Sequence, residues 1–496
     1  MAVLGGLLHT ASFAPLEAWP LQVAGLALLL LAVGPHPRPG RAAWLGAGFA
    51  FAWLASGMWW LFISMHRYGG MPAPLAALAV AMLAAALALY YAAALALYAR
   101  WRGAHPVRAA LLFAACWLLA ELGRGVLFTG FPWIAGGYAH TTGPLAGWAA
   151  WIGVYGIGAL AAWWAAATVA AWHARADRRR ALAALLPAWG VALAGLALPQ
   201  DFTRSSGTIA VTLWQPSVAQ DLKFDPGRLD RALQWHLDAL ARSRGTLVVT
   251  PESSIPVPLR SLAPGYIAAL RAPFAQGERA ALVGMFTGSE AEGYTNSVVG
   301  LSATSDPTTA TGFYQYGKRH LLPFGEIIPP GFGWFVRLMN IPIGDQARGR
   351  STAPLVVVGQ RVRPLICYED LFAEDIVDSV VGDEPATLLA NATNLAWFGP
   401  AMVQDQHLQF SRMRALELQR PIVRATNTGA TAAIDHRGRI TARLAPLVQG
   451  ALDATVEGRI GATPYAHWLA AWGLWPLALV AALVIAGCAR HARAGS

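Results

Sequence analysis

Charged residues are scarce in this chain of 496 residues: 13% are Asp, Glu, Lys or Arg, whereas 56% are hydrophobic. Soluble domains carry about 25% charged residues, so a single soluble globule of this composition would have too few charges to solvate its surface. The hydrophobic excess also excludes an intrinsically disordered chain. Three Cys residues are too few for a disulfide scaffold.

Several familiar signals are missing as well. No Lys or Arg precedes Arg38, so the first apolar stretch lacks the positive start of a cleavable secretory signal. H-E-x-x-H, paired-Cys and G-x-S-x-G motifs do not occur, which leaves zinc hydrolysis and serine-hydrolase chemistry without support. The net charge of +10 does not indicate nucleic-acid binding, because the basic residues are scattered at the edges of apolar stretches.

Long apolar stretches dominate the first 199 residues, and one more precedes a basic C-terminal tail. Crossing a membrane takes about 20 apolar residues in a helix. The sequence therefore predicts an N-terminal membrane domain of about seven transmembrane helices (1–199) and a C-terminal transmembrane helix with a cytoplasmic tail (464–496), about eight spans in all. The stretches lie at 2–14, 20–34, 42–63, 73–99, 107–128, 144–172, 181–198 and 465–488.

The arginines between these stretches predict an orientation. Cytoplasmic loops carry an excess of basic residues, and alternate loops of this chain are the basic ones, which places both termini in the cytoplasm and residues 200–463 on the opposite side. The arginines that give this result are Arg38, Arg41, Arg100, Arg102, Arg108, Arg175, Arg178, Arg179, Arg180, Arg490 and Arg493.

Residues 200–463 have the composition of an ordinary folded domain. Strand-like runs alternate with helical patterns at 227–243, 262–275 and 401–420, which predicts a layered α/β domain. The strand-like runs are 207–214, 246–250, 280–286, 296–301, 312–316, 363–367, 386–390, 421–426 and 431–435.

Three reactive side chains lie at the ends of these runs: Glu252, Lys318 and Cys367. Layered α/β folds commonly place their chemistry at strand ends. The residues alone leave open whether Cys367 is a nucleophile or a buried small hydrophobe. A thiol nucleophile needs a base and an oxyanion donor; Glu252 could be the base and Lys318 the donor, with the Tyr368 main-chain N–H as a second donor.

Three strings carry a family resemblance. TPESS around Glu252, YGKRHLLPFGE around Lys318 and ICYED around Cys367, in this order, resemble the Glu-Lys-Cys triad of the nitrilase superfamily of carbon–nitrogen hydrolases. Combined with the membrane stretches, the whole chain resembles the family of bacterial apolipoprotein N-acyltransferases. The resemblance implies an extracytoplasmic α-β-β-α sandwich at 200–463, on the periplasmic side of the bacterial inner membrane.

The resemblance also implies a reaction. Cys367 would take an acyl chain from a phospholipid, phosphatidylethanolamine being the expected donor, and pass it to the N-terminal amine of a diacylglyceryl apolipoprotein. Glu252 would be general base and then acid, and Lys318 would stabilise the oxyanion. Supporting roles fall to Glu326, Tyr368 and Glu369. No cofactor, metal or nucleic acid is implied, and we expect a monomer.

One segment and one position need separate interpretation. Segment 329–345 has many large apolar residues for a soluble loop, so we interpret it either as a lid that dips into the membrane or as an ordinary core segment. Its apolar side chains include Phe332, Trp334, Phe335, Leu338, Met339 and Ile341. The family often has a Lys-Trp pair where this chain has Lys223-Phe224, which puts a site role for Phe224 in doubt.

Two other functions remain as alternatives. A membrane-tethered amidase or nitrilase could use the same triad to hydrolyse a small C–N substrate, but such a substrate would need neither the spans nor the aromatic segment. A non-enzymatic transporter or scaffold would leave the three strand-end residues unexplained and would require more polar groups within the spans.

Overall fold

The computed structural model describes residues 1–223, 226–306, 309, 311–328, 331, 333 and 346–494. The chain divides into two compact units. The first comprises Met1–His66, Met71–Gln200 and Ala471–Ser496, and the second comprises Arg67–Gly70 and Asp201–Ala470.

The first unit is helical. Proline lies in the first turn of several of its helices, where its missing N–H costs nothing and its fixed φ suits the helix. Its main helices are α1 (Ala2–Ala11), α2 (Pro20–Val33), α3 (Pro39–Gly57), α4 (Ala73–Trp101), α5 (Pro106–Val126), α6 (Ala149–His173) and α7 (Arg178–Ala194), and the chain ends in a helix over Trp475–Ala494.

Four helices of the described residues are long and apolar enough to cross a membrane, or five if one bent pair counts as a single span. They are α4, α5 continued to Thr129, α6 begun at Pro144, and the C-terminal helix; the bent pair joins α3 to Leu61–Tyr68 at 59°. Helices α1 and α2 have only 10 and 14 residues. Several apolar helices are therefore present, whereas the count of about eight spans stays a prediction.

A buried ion pair lies inside the first unit. Arg124 Nη2 is 3.4 Å from Glu121 Oε2, so these i,i+3 neighbours pair with each other. Glu121 also accepts hydrogen bonds from the Tyr91 hydroxyl and from the Gly136 main-chain N–H. Arg124 in turn donates to the Trp133 carbonyl at 2.8 Å. A charged pair in an apolar helix is thus satisfied locally, and it fixes the loop that follows α5.

The second unit contains two six-stranded sheets. The strands are β1 (Arg204–Gln215), β2 (Leu247–Val249), β3 (Ala280–Ser289), β4 (Gly293–Leu301), β5 (Tyr314–Gly317), β6 (Leu355–Val357), β7 (Gln360–Ile366), β8 (Leu388–Thr393), β9 (Ile422–Thr426), β10 (Ala432–Ile434), β11 (Ile440–Arg443) and β12 (Gly450–Ile460). The strand orders of the two sheets are β12-β1-β2-β3-β4-β5 and β11-β10-β9-β8-β7-β6, and the central pairings β1-β2-β3 and β7-β8-β9 are parallel.

Burial follows the alternation of side chains along the strands. Val211, Val249 and Ile366 belong to one cluster that takes residues from both sheets, so the main core lies between the sheets. The opposite face of the first sheet packs on helices α8 (Leu229–Arg242) and α9 (Pro264–Arg271). Helix α10 (Val403–Leu418) packs on β9 and β10. This layering is the α/β fold that the sequence predicts for this region.

Candidate active site

The predicted base, Glu252, follows β2 and is 8% exposed. Its Oε1 accepts a hydrogen bond from Asn296 Nδ2 at 2.7 Å, and its Oε2 accepts one from the Asn394 main-chain N–H at 2.9 Å. Lys318 Nζ lies 3.4 Å from Oε1. Since three groups from three different parts of the fold, one within β4 and two directly after strands, hold this carboxylate, its orientation is fixed before any substrate arrives.

Lys318 follows β5 and is 1% exposed. Its main-chain N–H donates to the Asn296 carbonyl at 2.8 Å, and its ammonium donates to Glu326 Oε1 at 2.8 Å. Burial alone would lower the pKa of Lys318, but the carboxylates of Glu326 and Glu252 outweigh it and raise the pKa. Lys318 is therefore a permanent cation at neutral pH, and a positive charge suits the stabilisation of an oxyanion.

Cys367 is the first residue after β7 and has a left-handed backbone conformation, with φ +51°. Such a conformation is strained for a residue with a side chain and is often found at functional sites. Burial and the negative charge of Glu252 raise the pKa of the thiol, while the positive charge of Lys318 opposes them. The thiol is thus protonated at neutral pH and needs a base for ionisation.

Glu369 fixes the turn that carries Cys367. Its carboxylate accepts hydrogen bonds from the Ile366 main-chain N–H at 2.7 Å, from the Arg319 main-chain N–H at 2.7 Å and from the Tyr316 hydroxyl at 2.8 Å. It therefore ties the end of β7 to the segment that follows β5, where Lys318 lies. We conclude that Glu369 acts on the geometry of the site.

The remaining predicted residues have distinct places. Glu326 Oε1 binds both Lys318 and Asn296 Nδ2, the latter at 3.0 Å. Tyr368 is 1% exposed, and its ring packs edge-on against Phe372 with 5.1 Å between the ring centroids. The lid residues Phe332, Trp334, Phe335, Leu338, Met339 and Ile341, and likewise Phe224, lie outside the described residues.

Sequence reasoning assigned no site role to three polar residues that contact Glu252. Asn296 on β4 bridges the two carboxylates that bind Lys318, and Asn394 comes directly after β8. Lys223 Nζ donates to the Glu252 main-chain carbonyl at 3.1 Å. A signal for Asn394 did exist, because it is a polar residue at the carboxyl end of a buried parallel strand. Asn296 lies within a strand, where no pattern distinguishes it from a structural amide.

Two facing sheets with Glu, Lys and Cys at their strand ends define a protein of the carbon–nitrogen hydrolase class. A carbon–nitrogen hydrolase family model matches residues 214–465, and a model of the apolipoprotein N-acyltransferase N-terminal domain matches residues 5–167.

Curated relatives cover almost the whole chain. An apolipoprotein N-acyltransferase of Verminephrobacter eiseniae is 49% identical, with 95% of this chain and 92% of the relative covered. One of Ralstonia nicotianae is 45% identical over 100% of this chain and 94% of its own, and one of Bordetella bronchiseptica is 40% identical over 98% and 96%. The chain belongs to the apolipoprotein N-acyltransferase family.

Proposed function

We propose that this enzyme transfers an acyl chain from a phospholipid to the N-terminal amine of the diacylglyceryl-Cys of apolipoproteins, the final step of lipoprotein maturation. Membership of the family supports the overall reaction. The observation that supports the assignment of residues is the contact of Lys318 with Glu252 in a site whose charges act on the Cys367 thiol.

The first half-reaction forms an acyl-enzyme. Glu252 takes the proton of the Cys367 thiol, and the sulfur attacks the sn-1 ester carbonyl of the phospholipid, phosphatidylethanolamine in this proposal. Lys318 and the Tyr368 main-chain N–H stabilise the oxyanion. The ester C–O bond then breaks, Glu252 returns the proton to the leaving oxygen, and a lysophospholipid departs from the Cys367 thioester.

The second half-reaction transfers the acyl chain. The α-amine of the diacylglyceryl-Cys attacks the thioester carbonyl, and Glu252, again a carboxylate, takes the proton that the amine nitrogen loses. The C–S bond breaks, the Cys367 sulfur regains the proton from Glu252, and an amide forms on the lipoprotein. Water must be kept from the thioester throughout, because hydrolysis would waste it.

The distribution of arginines supports a particular orientation of the enzyme in the membrane. The enzyme lies in the bacterial inner membrane as a monomer with about eight spans, both termini in the cytoplasm and the catalytic domain (200–463) in the periplasm. The segment that contains Phe332, Trp334, Phe335, Leu338 and Met339 acts as a lid on the lipid side. A spin label at Trp334 that reports a fully aqueous, membrane-distant position would contradict the lid.

Intact-mass measurement of the full-length protein incubated with phosphatidylethanolamine in micelles tests the acyl-enzyme. We expect the wild type to gain one acyl mass that hydroxylamine removes, and Cys367→Ala to gain none. Cys116→Ala is the matched control and should behave like wild type, because Cys116 is buried in α5.

Three outcomes would overturn the proposal: no adduct on the wild type, an adduct that persists in Cys367→Ala, or release of free fatty acid at the same rate with and without an amine acceptor. The last outcome would favour a hydrolase.

A further inference from the structure

Lysine is rare in this chain, and both lysines lie at the active site. Of the 37 basic residues, only Lys223 and Lys318 are lysine, and the others are arginine. Lys318 donates to the Glu252 carboxylate and Lys223 to the Glu252 main-chain carbonyl. Every other Lys or Arg position is thus an arginine, which stays charged, whereas the two positions next to Glu252 are lysines. The pKa of a lysine shifts readily when its side chain is buried.

The position of Lys223 is built into the site. It ends a short helix over Gln220–Lys223 and is partly buried, and its ammonium is 3.1 Å from the Glu252 carbonyl oxygen. At the start of the same helix, the Gln220 side chain accepts a hydrogen bond from Asn394 Nδ2 at 2.8 Å. Because the Asn394 main-chain N–H binds the Glu252 carboxylate, Glu252 is connected to this helix through its main chain and its side chain.

Carboxylates and cations act on the Cys367 thiol in opposite directions. Three carboxylates, those of Glu252, Glu326 and Asp370, raise the pKa of Cys367, and Lys318 opposes them. The charge of Asp370 is paired with Arg424, which also interacts with Cys367. Lys318 is shared between Glu326 and Glu252. A further positive charge near Cys367 would offset the remaining negative charge when the thiol loses its proton.

We propose that Lys223 is a positioning residue whose ammonium charge favours the anionic state of the Glu252–Cys367 pair. The inference deepens the proposed function, since it takes Cys367 as the nucleophile. Lys223 acts through its field and through its hold on the Glu252 main chain, and not by contact with the substrate.

The charge of Lys223 depends on pH in the working range. Burial lowers the pKa of Lys223 to about 8, although the negative charges of Glu252 and Cys367 act in the opposite direction. His236 of α8 also faces Lys223, but burial lowers the pKa of His236 to about 4, so it is neutral above pH 6. Above pH 8 the ammonium therefore loses its proton and its support of the thiolate fades, whereas an arginine at position 223 would stay charged.

Alkylation of Cys367 by iodoacetamide tests this without any acyl transfer. The full-length protein in micelles is treated between pH 6.5 and pH 10, and peptide mass spectrometry measures modification at Cys367 alone. Wild type is compared with Lys223→Met and Lys223→Arg. Arg231→Met, which removes an exposed positive charge from α8, is the matched control and should follow the wild type.

The two variants should diverge from the wild type at opposite ends of the pH range. At pH 7, Lys223→Met should be alkylated about tenfold more slowly, because an opposite charge close to a titrating group shifts its pKa by about one unit or more. That deficit should vanish by pH 10, where wild-type Lys223 is neutral as well. Lys223→Arg should equal the wild type at pH 7 and exceed it several-fold above pH 8.5.

Two results would overturn the inference: alkylation rates that depend on pH in the same way in all three proteins, or a rate for Lys223→Met that is lower than the wild-type rate by the same factor at every pH. Either result is expected if Lys223 has only a structural role. Melting curves of the variants show whether they are folded. If instead the alkylation curves diverge as expected but no acyl-enzyme forms from phospholipid, the proposed function fails and this inference stands.

Discussion

Lys318 Nζ lies 2.8 Å from Oε1 of Glu326, in an ion pair whose side chains are at least nine-tenths buried. The distance from the same nitrogen to Glu252 Oε1 is 3.4 Å. Glu326 is therefore the closer partner of the lysine, and Glu252 pairs with it only loosely. This division suits a site in which one carboxylate fixes the cation and the other must accept a proton.

Glu326→Gln should slow the formation of the acyl-enzyme. Without the Glu326 charge, Lys318 pairs with Glu252 alone and makes it a weaker base, so we expect a loss of about 10- to 100-fold, at or below the lower end of the range for general acid–base catalysis. Lys318→Ala should cost more, about 10²–10³-fold, because an oxyanion donor is lost. Single-turnover acylation by phosphatidylethanolamine measures both.

The exposed Glu290→Gln provides the control for Glu326→Gln and should be neutral. A loss after Glu326→Gln that equals or exceeds the loss after Lys318→Ala would show that Glu326 has a role of its own in the reaction.

Replacement of Glu252 should separate the reactivity of the thiol from catalysis. After burial, the Glu252 charge is the largest cause that raises the pKa of Cys367, so Glu252→Gln should lower that pKa and speed alkylation at pH 8 several-fold. The same variant should lose about 10²–10⁴-fold in acylation by phospholipid, since the base is gone. Lys318→Met should slow alkylation, because Lys318 lowers the pKa of Cys367. Shifts of the same sign in both variants would contradict this electrostatic account.

The sequence predicted most of the fold of the second unit, and it placed Glu252, Lys318 and Cys367 after strands, where the structure has them. Nine strands and three helices lie close to the ranges predicted from the apolar runs, because each of them contributes apolar side chains to the buried core. Strands β6, β11 and β12 were missed: β6 has three residues, β11 is largely exposed, and β12 alternates exposed charges with partly buried residues. Short or edge strands bury too little apolar surface for a pattern to show.

The chain order alone could not predict which polar residues meet Glu252. Asn296 and Asn394 are 44 and 142 residues beyond Glu252 in the sequence. Pairing of strands within the first sheet and packing of the second sheet against it bring them together. Glu326 was found only because a family motif contains it, eight residues after Lys318. Contacts that depend on sheet assembly leave little local trace, whereas a reactive residue at a strand end does.

Removal of Arg424 should destabilise the second unit. Its Nη1 lies 2.9 Å from Asp370 Oδ2, and both side chains are fully buried. Arg424→Met leaves a buried carboxylate without its cation, which typically costs about 3–5 kcal/mol. Arg443→Met is the matched control: its partner Asp405 is 2.7 Å away, but about one-third of each side chain is exposed, so its loss should cost at most about 1 kcal/mol.

The Arg424 effect should depend on pH with a definite sign. Burial raises the pKa of Asp370 to about 6, although the Arg424 charge lowers it. An acid whose folded pKa is raised binds its proton more tightly when folded, so its ionisation reduces stability as pH increases through that range. Without Arg424, ionisation of the buried Asp370 carboxyl costs more stability. The melting temperature of Arg424→Met should therefore fall further below that of the wild type at pH 8 than at pH 5. An equal fall at both pH values would contradict it.

Glycine at position 367 should be tolerated unusually well. A left-handed conformation costs a residue with a Cβ about 1–2 kcal/mol, and Cys367 has φ +51°. Glycine normally costs about 0.5–1 kcal/mol relative to alanine inside a strand or helix. At position 367 the two effects oppose each other, so Cys367→Gly should be at least as stable as Cys367→Ala, whereas Ala392→Gly within β8 should be less stable than the wild type.

Thermal unfolding of Cys367→Gly and Cys367→Ala is a fair comparison, because neither variant can form an acyl-enzyme and each lacks the thiol. If Cys367→Gly were clearly the less stable of the two, the turn would not be strained, and its left-handed backbone would need another explanation. If the order is as expected, the wild type retains a side chain where glycine fits better. The strained turn is then explained by the thiol that it presents next to Glu252 and Lys318.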